Sequence, residues 1–221
     1  MEKHIVSSYD EDLNRLRNSI INMAGLVKDL ISIANFSVQD PTKSFVDLAN
    51  STDSKINHSD EEVEQLAINL LALRQPMAID LRHVISALRL AVILERMGDL
   101  TKKITNRVEF LPITLNPKLS TLIQATITEL EDSLSNVIKA YEKMDDKLAI
   151  KTSKQDYIID DYYNKIMDLI ESEIYNNPEQ VKSLTRITLL ARNLERIGDY
   201  VNKIACITHF IITGEKLKDI D

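Results

Sequence analysis

A passage of the chain that returns one hundred residues later limits the possible folds more than any other feature. Residues 90–104 read LAVILERMGDLTKKI and residues 190–204 read LARNLERIGDYVNKI; Leu, Ala, Leu, Glu, Arg, Gly, Asp, Lys and Ile recur at a constant offset. Self-similarity at a fixed long period marks a structural unit built twice. The fold must therefore place the same element at the same point of two related halves.

That element is a helix. Prolines and capping side chains cut the chain into six segments, roughly 4–38, 42–73, 77–110, 117–144, 146–176 and 178–213. Asp40-Pro41, Asn116-Pro117 and Asn177-Pro178 each put a capping side chain before a proline, the signature of a helix start. Pro76 breaks the chain after Arg74-Gln75, Pro112 marks the mid-chain connection, and Asp145-Asp146 offers an acidic start. In the first segment Leu13, Ile20, Val27 and Ala34 recur every seven residues, with Leu16, Met23 and Leu30 three behind. In the fourth, Leu119, Ile123, Ile127, Leu130, Leu134, Val137 and Tyr141 form one stripe. Helices of about thirty residues run on the order of 45 Å and suit antiparallel bundles with short connections. Four glycines and five prolines are too few for a turn-rich strand fold. The expected architecture is all-α: six long antiparallel helices in two tandem three-helix bundles, 1–112 and 113–221, related by a pseudo-twofold.

Charge and cysteine usage narrow the function. A net charge of −7 disfavours nucleic acid as a partner and argues against direct adhesion to an anionic membrane. The single cysteine, Cys206, lies in an apolar helical run, is expected in the core, and rules out an intramolecular disulfide or a Cys-based zinc site. MEKHIVSSYDEDL has no apolar signal region, and no uninterrupted apolar run reaches bilayer-spanning length. The expected compartment is the cytoplasm.

The repeated core Leu-Glu-Arg-x-Gly-Asp, at 94–99 and 194–199, carries the chemistry. A single acidic i,i+4 pair is ordinarily a solvated face, and about five arise by chance in a chain this acidic. Retention of the pair in both halves, while Leu100 diverged from Tyr200, sets this one apart. Glu95 and Asp99, and likewise Glu195 and Asp199, share one helix face about 6 Å apart, where they repel unless a cation lies between them. Gly98 and Gly198 adjoin them, and a mid-helix glycine costs up to about 1 kcal/mol against alanine, which close approach of a helix or ligand would offset. The second helix of each half supplies facing residues: Asp156 and Asp160 in one, Asp53 and Asn57, followed by Asp60, Glu61 and Glu64, in the other. Oxygen donors of this kind suit Mg, Ca, Mn or iron. Arg96 and Arg196 offer the competing reading, neutralisation by salt bridges. The histidines form no repeated set: His58 adjoins Asn57 but reads as solvated, His4 and His209 as incidental, and Asp80 with His83 as a surface pair.

With Arg74-Gln75-Pro76-Met77-Ala78-x-Asp80-Leu81-Arg82 and the two LER-x-GD copies, the chain resembles the PhoU family over almost its whole length. The resemblance implies two three-helix bundles, no enzymatic activity, and homodimers. It implies a negative regulator that keeps the phosphate-starvation response off, linking a phosphate ABC transporter and its ATPase to a membrane sensor histidine kinase. Such a protein meets the membrane only through these partners. It also implies metal ions, iron or zinc, on the paired acidic motifs: Asp53, Asn57, Glu95 and Asp99 in the first half, Asp156, Asp160, Glu195 and Asp199 in the second. Asn57 stands where many relatives have a carboxylate, and Lys102 stands where the second half has Asn202, so the second site is expected to be the better one.

Two other readings remain. A di-metal carboxylate oxidase in a helical bundle needs Glu-x-x-His pairs, which this chain lacks. A generic helical scaffold fits the long amphipathic helices but leaves the retained LER-x-GD pair unexplained.

Overall fold

A computed structural model describes residues 2–74, 76–111 and 116–217 of the chain. The regular structure among the described residues is helical, with no strand. Helices α1 (Glu2–Gln39), α2 (Val46–Arg74) and α3 (Ile79–Val108) form the first half. Helices α4 (Pro117–Lys143), α5 (Asp146–Ser153), α6 (Tyr157–Asn176) and α7 (Val181–Thr213) form the second, with a 3₁₀ turn at Pro178–Gln180 before α7.

The heptad stripe of α1 lies inside the bundle: Leu16, Ile20, Met23, Val27, Leu30 and Ala34 are buried and Leu13 packs at their edge. Every member of the α4 stripe, from Leu119 to Tyr141, is buried as well. Each such Leu or Ile contributes about 1.5–3 kcal/mol through removal from water. Helix α1 packs on α2 and α3, α4 packs on α5, α6 and α7, and α1·α4 and α3·α7 join the halves. By length and composition, Tyr9–Gln39 of α1 is apolar enough to cross a membrane; here its apolar side is the core seam on which α2, α3 and α4 pack.

The two central helices run antiparallel and tie each other's ends. Arg186, near the start of α7, donates to the Phe110 carbonyl just past α3 (2.6 Å) and lies over the Phe110 ring. Arg82, near the start of α3, packs its guanidinium on Gly214, the left-handed cap of α7 (φ 80°). A cation at each helix C-terminus also suits the helix dipole.

Three helix boundaries differ from the sequence expectation. Asp40 caps a local turn, accepting from the Thr42 amide and hydroxyl, so α2 begins only at Val46. Asn177 makes no side-chain N-cap bond; its side-chain Nδ2 donates to Glu173 Oε2 (3.0 Å) and Pro178 opens the 3₁₀ turn. The segment expected as one helix over 146–176 is interrupted at residues 154–156. By contrast, Asn116 accepts from the Lys118 amide (2.9 Å) and Asp145 from the Leu148 amide (3.0 Å), as expected of N-caps. Gln75 and Pro112 lie outside the described residues.

Candidate functional site

Each LER-x-GD glycine forms a notch that an isoleucine fills. A β-carbon on Gly98 would stand 3.0 Å from Ile56 Cδ1, and one on Gly198 would stand 3.0 Å from Ile159 Cδ1. The isoleucine enters the notch three residues after an aspartate, Asp53 in α2 and Asp156 beside α6. Their Oδ1 atoms lie 3.7 and 3.5 Å from the same hypothetical β-carbons. The glycine thus lets the second helix of each half approach closely enough to set an aspartate against the Glu-x-x-x-Asp face.

In the first half that aspartate is buried, with Asp53 only 5% exposed. Lys102 Nζ lies 2.5 Å from Asp53 Oδ2 and 3.1 Å from Asp99 Oδ1, bridging α2 and α3. Lys103 adds a second contact to Asp99 at 3.5 Å. Although burial opposes it, hydrogen bonding and charge from these lysines hold the Asp99 carboxyl below its ordinary range. Glu95 is pushed up, first by burial and then by Asp99, Asp60 and Asp53.

In the second half the bridging lysine is absent. Asn202 Nδ2 donates to Asp156 Oδ2 (3.0 Å), while Ser153 donates to Asn202 Oδ1 (2.7 Å). Lys203, the counterpart of Lys103, stands 4.7 Å from the centre of the Tyr200 ring. Asp156, Asp160 and Glu195 are all shifted up; burial is the leading cause, and the charge of Asp199 adds to each. The exposed Arg192 forms the ion pair on this face, its Nε 3.6 Å from Glu195 Oε2 on the same helix.

The PhoU domain model matches residues 20–108 and again 126–208. The chain belongs to the PhoU family. It is 33% identical over 220 residues to a "phosphate-specific transport system accessory protein PhoU homolog" of Caulobacter vibrioides, covering 98% of this chain and 95% of that one. A Zymomonas mobilis homologue of the same description is 29% identical over 223 residues, covering 98% and 91%. Among solved structures, the phosphate transport system regulatory protein PhoU of Streptococcus pneumoniae aligns with a TM-score of 0.88 at 26% identity, over 95% of this chain and 99% of that one. PhoU of Pseudomonas aeruginosa shares the fold with a TM-score of 0.88 at 24% identity, over 94% and 100%.

Against this PhoU frame, the structure brings Asp53, Glu95 and Asp99 to one face of α2–α3 and Asp156, Asp160, Glu195 and Asp199 to one face of α6–α7. Asn57 is exposed, and the additional acid that acts on Glu95 is Asp60, one turn further along α2. Arg96 and Arg196 are exposed and exert the smallest of the influences resolved at Glu95 and Glu195. The neutralising role that sequence assigned to them as an alternative belongs in the first half to Lys102.

The histidines stay away from both faces. His58 is exposed beside Glu61 and Glu62, and His209 Nδ1 lies 2.6 Å from Asp146 Oδ1. Asp80 and His83 are not a surface pair: Asp80 accepts from Tyr9 (3.0 Å), and His83 is half-buried, its pKa lowered by burial and then by Arg17. His4 lies where side chains are not described. Cys206 is half-buried, its Sγ 3.8 Å from Asn202 Oδ1.

Among the described residues no three or more His, Cys, Asp or Glu side chains stand close enough together to hold a metal ion as they lie. The second-half donor set nonetheless suits a hard cation: four carboxylates on and just before α6 and on α7, three of which, Asp156, Asp160 and Glu195, are raised in pKa by burial and then by neighbouring carboxylates. The first-half set does not, because an ammonium already lies on two of its three carboxylates.

Proposed function

We propose that this PhoU-family protein is a non-enzymatic regulator of phosphate homeostasis, acting in the cytoplasm as a negative regulator of phosphate-starvation signalling and high-affinity phosphate uptake. Its two units, 1–112 and 113–221, bridge a phosphate ABC transporter, through the transporter ATPase, to a sensor histidine kinase. It reaches the membrane through these partners alone and works as a homodimer. The family membership and the accessory and regulatory descriptions of the relatives support this reading.

The observation that carries the site is the α6–α7 carboxylate face. Asp199 raises the pKa of three other carboxylates, and among the described residues the one ion pair made to this face is that of the exposed Arg192 with Glu195. Asp156, Asp160, Glu195 and Asp199 are the residues that would hold a divalent or trivalent cation, with iron, zinc, magnesium, calcium or manganese as candidates. A bound cation would present positive charge on an acidic protein, as a docking point for a partner or for phosphate oxygens.

Pull-down of the histidine kinase or the transporter ATPase tests the docking role. Chelation, and the double change Glu195→Gln with Asp199→Asn, should each weaken capture at least tenfold. Unchanged capture under both treatments rules that role out.

A further inference from the structure

The two carboxylate faces have one frame but different balancing charges. Each has a glycine notch, an isoleucine filling it and an aspartate three residues before the isoleucine. Over the positions Asp53, Asn57, Glu95, Asp99 and Lys102 the formal charge is −2; over Asp156, Asp160, Glu195, Asp199 and Asn202 it is −4. Both lysines of the first half have lost their counterpart contact in the second. Lys102 is replaced by Asn202, which donates a neutral hydrogen bond to Asp156. Lys203 is kept but lies over Tyr200, a ring for which the first half has only Leu100.

We infer that Lys102 is the built-in cation of the first repeat, so that this chain takes up metal in its second repeat alone. The inference rests on the proposed metal reading of the α6–α7 face. An ammonium 2.5 Å from Asp53 Oδ2 and 3.1 Å from Asp99 Oδ1 occupies the gap between helices that a metal ion would need. A metal bonded to either oxygen at about 2.0–2.4 Å would stand against that nitrogen, two cations in contact. Lys102 is only 23% exposed and Asp53 only 7% by side chain, so water does little to screen the pair. Displacing Lys102 would strand its charge and also break the α2–α3 bridge. Asn57, exposed and uncharged, does nothing to tip the balance back toward a metal. The first repeat thus carries a cation of its own across α2 and α3, whereas the corresponding link in the second is the neutral Asn202–Asp156 hydrogen bond.

Manganese(II) titration of the full chain, with free metal counted by electron paramagnetic resonance and folding checked by circular dichroism, tests this. Asp156→Asn with Asp199→Asn should abolish uptake, and Asp53→Asn with Glu95→Gln should leave it unchanged. Lys102→Asn should add a second class of sites, and Asn202→Lys should weaken the existing class at least tenfold. Wild-type uptake that is lost on changing Asp53 and Glu95 would overturn the inference, as would a Lys102→Asn protein that binds no more than wild type. If the wild type binds no manganese, the reading of the second repeat fails. Lys102→Asn then still decides: new binding in that variant supports the lysine as the blocking cation, and none refutes it.

Discussion

Ile159 fills the space that any side chain on Gly198 would need, its Cδ1 3.0 Å and its Cγ2 3.1 Å from the position of a β-carbon there. The contact sets the distance between α6 and α7 and so places Asp156. Gly198→Val should therefore cost about 2 kcal/mol by overpacking. Ile159→Ala, itself destabilising through the cavity it leaves, should recover a large part of that loss when combined with it. Urea unfolding of the two single variants and the double variant measures the coupling; simple additivity would show that the notch does not govern the helix spacing.

The Lys102 bridge makes a stability prediction with a pH signature. Lys102→Met leaves Asp53 buried without its counter-ion and should cost about 2–3 kcal/mol near neutrality. The Asp99 carboxyl is held below its unfolded value of 3.8, so its share of the stability is present above that value and is lost as pH falls through the folded one. The Lys102 ammonium is held above 10.5, so its share is present below that value and is lost as pH rises through the folded one. The deficit of the variant should be largest between these limits and shrink toward both. Chemical unfolding across that range would show it, and a deficit independent of pH would refute it.

The sign reverses at the α6–α7 face. Asp160 is shifted up by burial and by Asp199, so its ionised form is disfavoured in the folded chain. Asp160→Asn should raise the Tm of metal-free protein at pH 7 by about 1–2 °C, equivalent to ~0.5 kcal/mol of relieved repulsion. Below the carboxylate range, where Asp160 is protonated in both states, the gain should vanish. A calorimetric scan at the two pH values decides this. A residue retained at a cost to stability is expected where function requires it.

At the far end of α7 the constraint is conformational. Gly214 has φ 80° and carries the Arg82 guanidinium against it, so Gly214→Ala meets backbone strain and, as a lesser cost, a clash that the flexible end of Arg82 relieves by moving aside. We expect a loss of about 2 kcal/mol. Arg82→Ala in the same background should remove the clash and leave only the strain.

Much of this was readable before the fold was known. The stripes Leu16–Ala34 and Leu119–Tyr141 are buried because a seven-residue period keeps one helix face against its neighbours. The LER-x-GD duplication placed α3 and α7 at matching points of two halves. The interruption at residues 154–156 was not readable, because it contains neither proline nor glycine. It follows from register. Helices α2 and α5 start at Val46 and Asp146, one hundred residues apart, but Asp53 corresponds to Asp156, three residues further on. Three residues fall about 60° short of a full turn, so an unbroken helix would turn Asp156 and Ile159 away from the Gly198 notch. The break restores their direction. Spacing showed Lys102 to be near the first acidic group, but not that its ammonium spans two helices, because that depends on how closely Gly98 lets α2 approach.

The central claim is that one carboxylate frame, built twice, is balanced from within in the first repeat and left open in the second. Anomalous diffraction from crystals soaked in manganese tests it most directly. The account predicts metal beside Asp156, Asp160, Glu195 and Asp199 and none beside Asp53, Glu95 and Asp99, where Lys102 remains in place. Metal between α2 and α3, with Lys102 displaced, would contradict it.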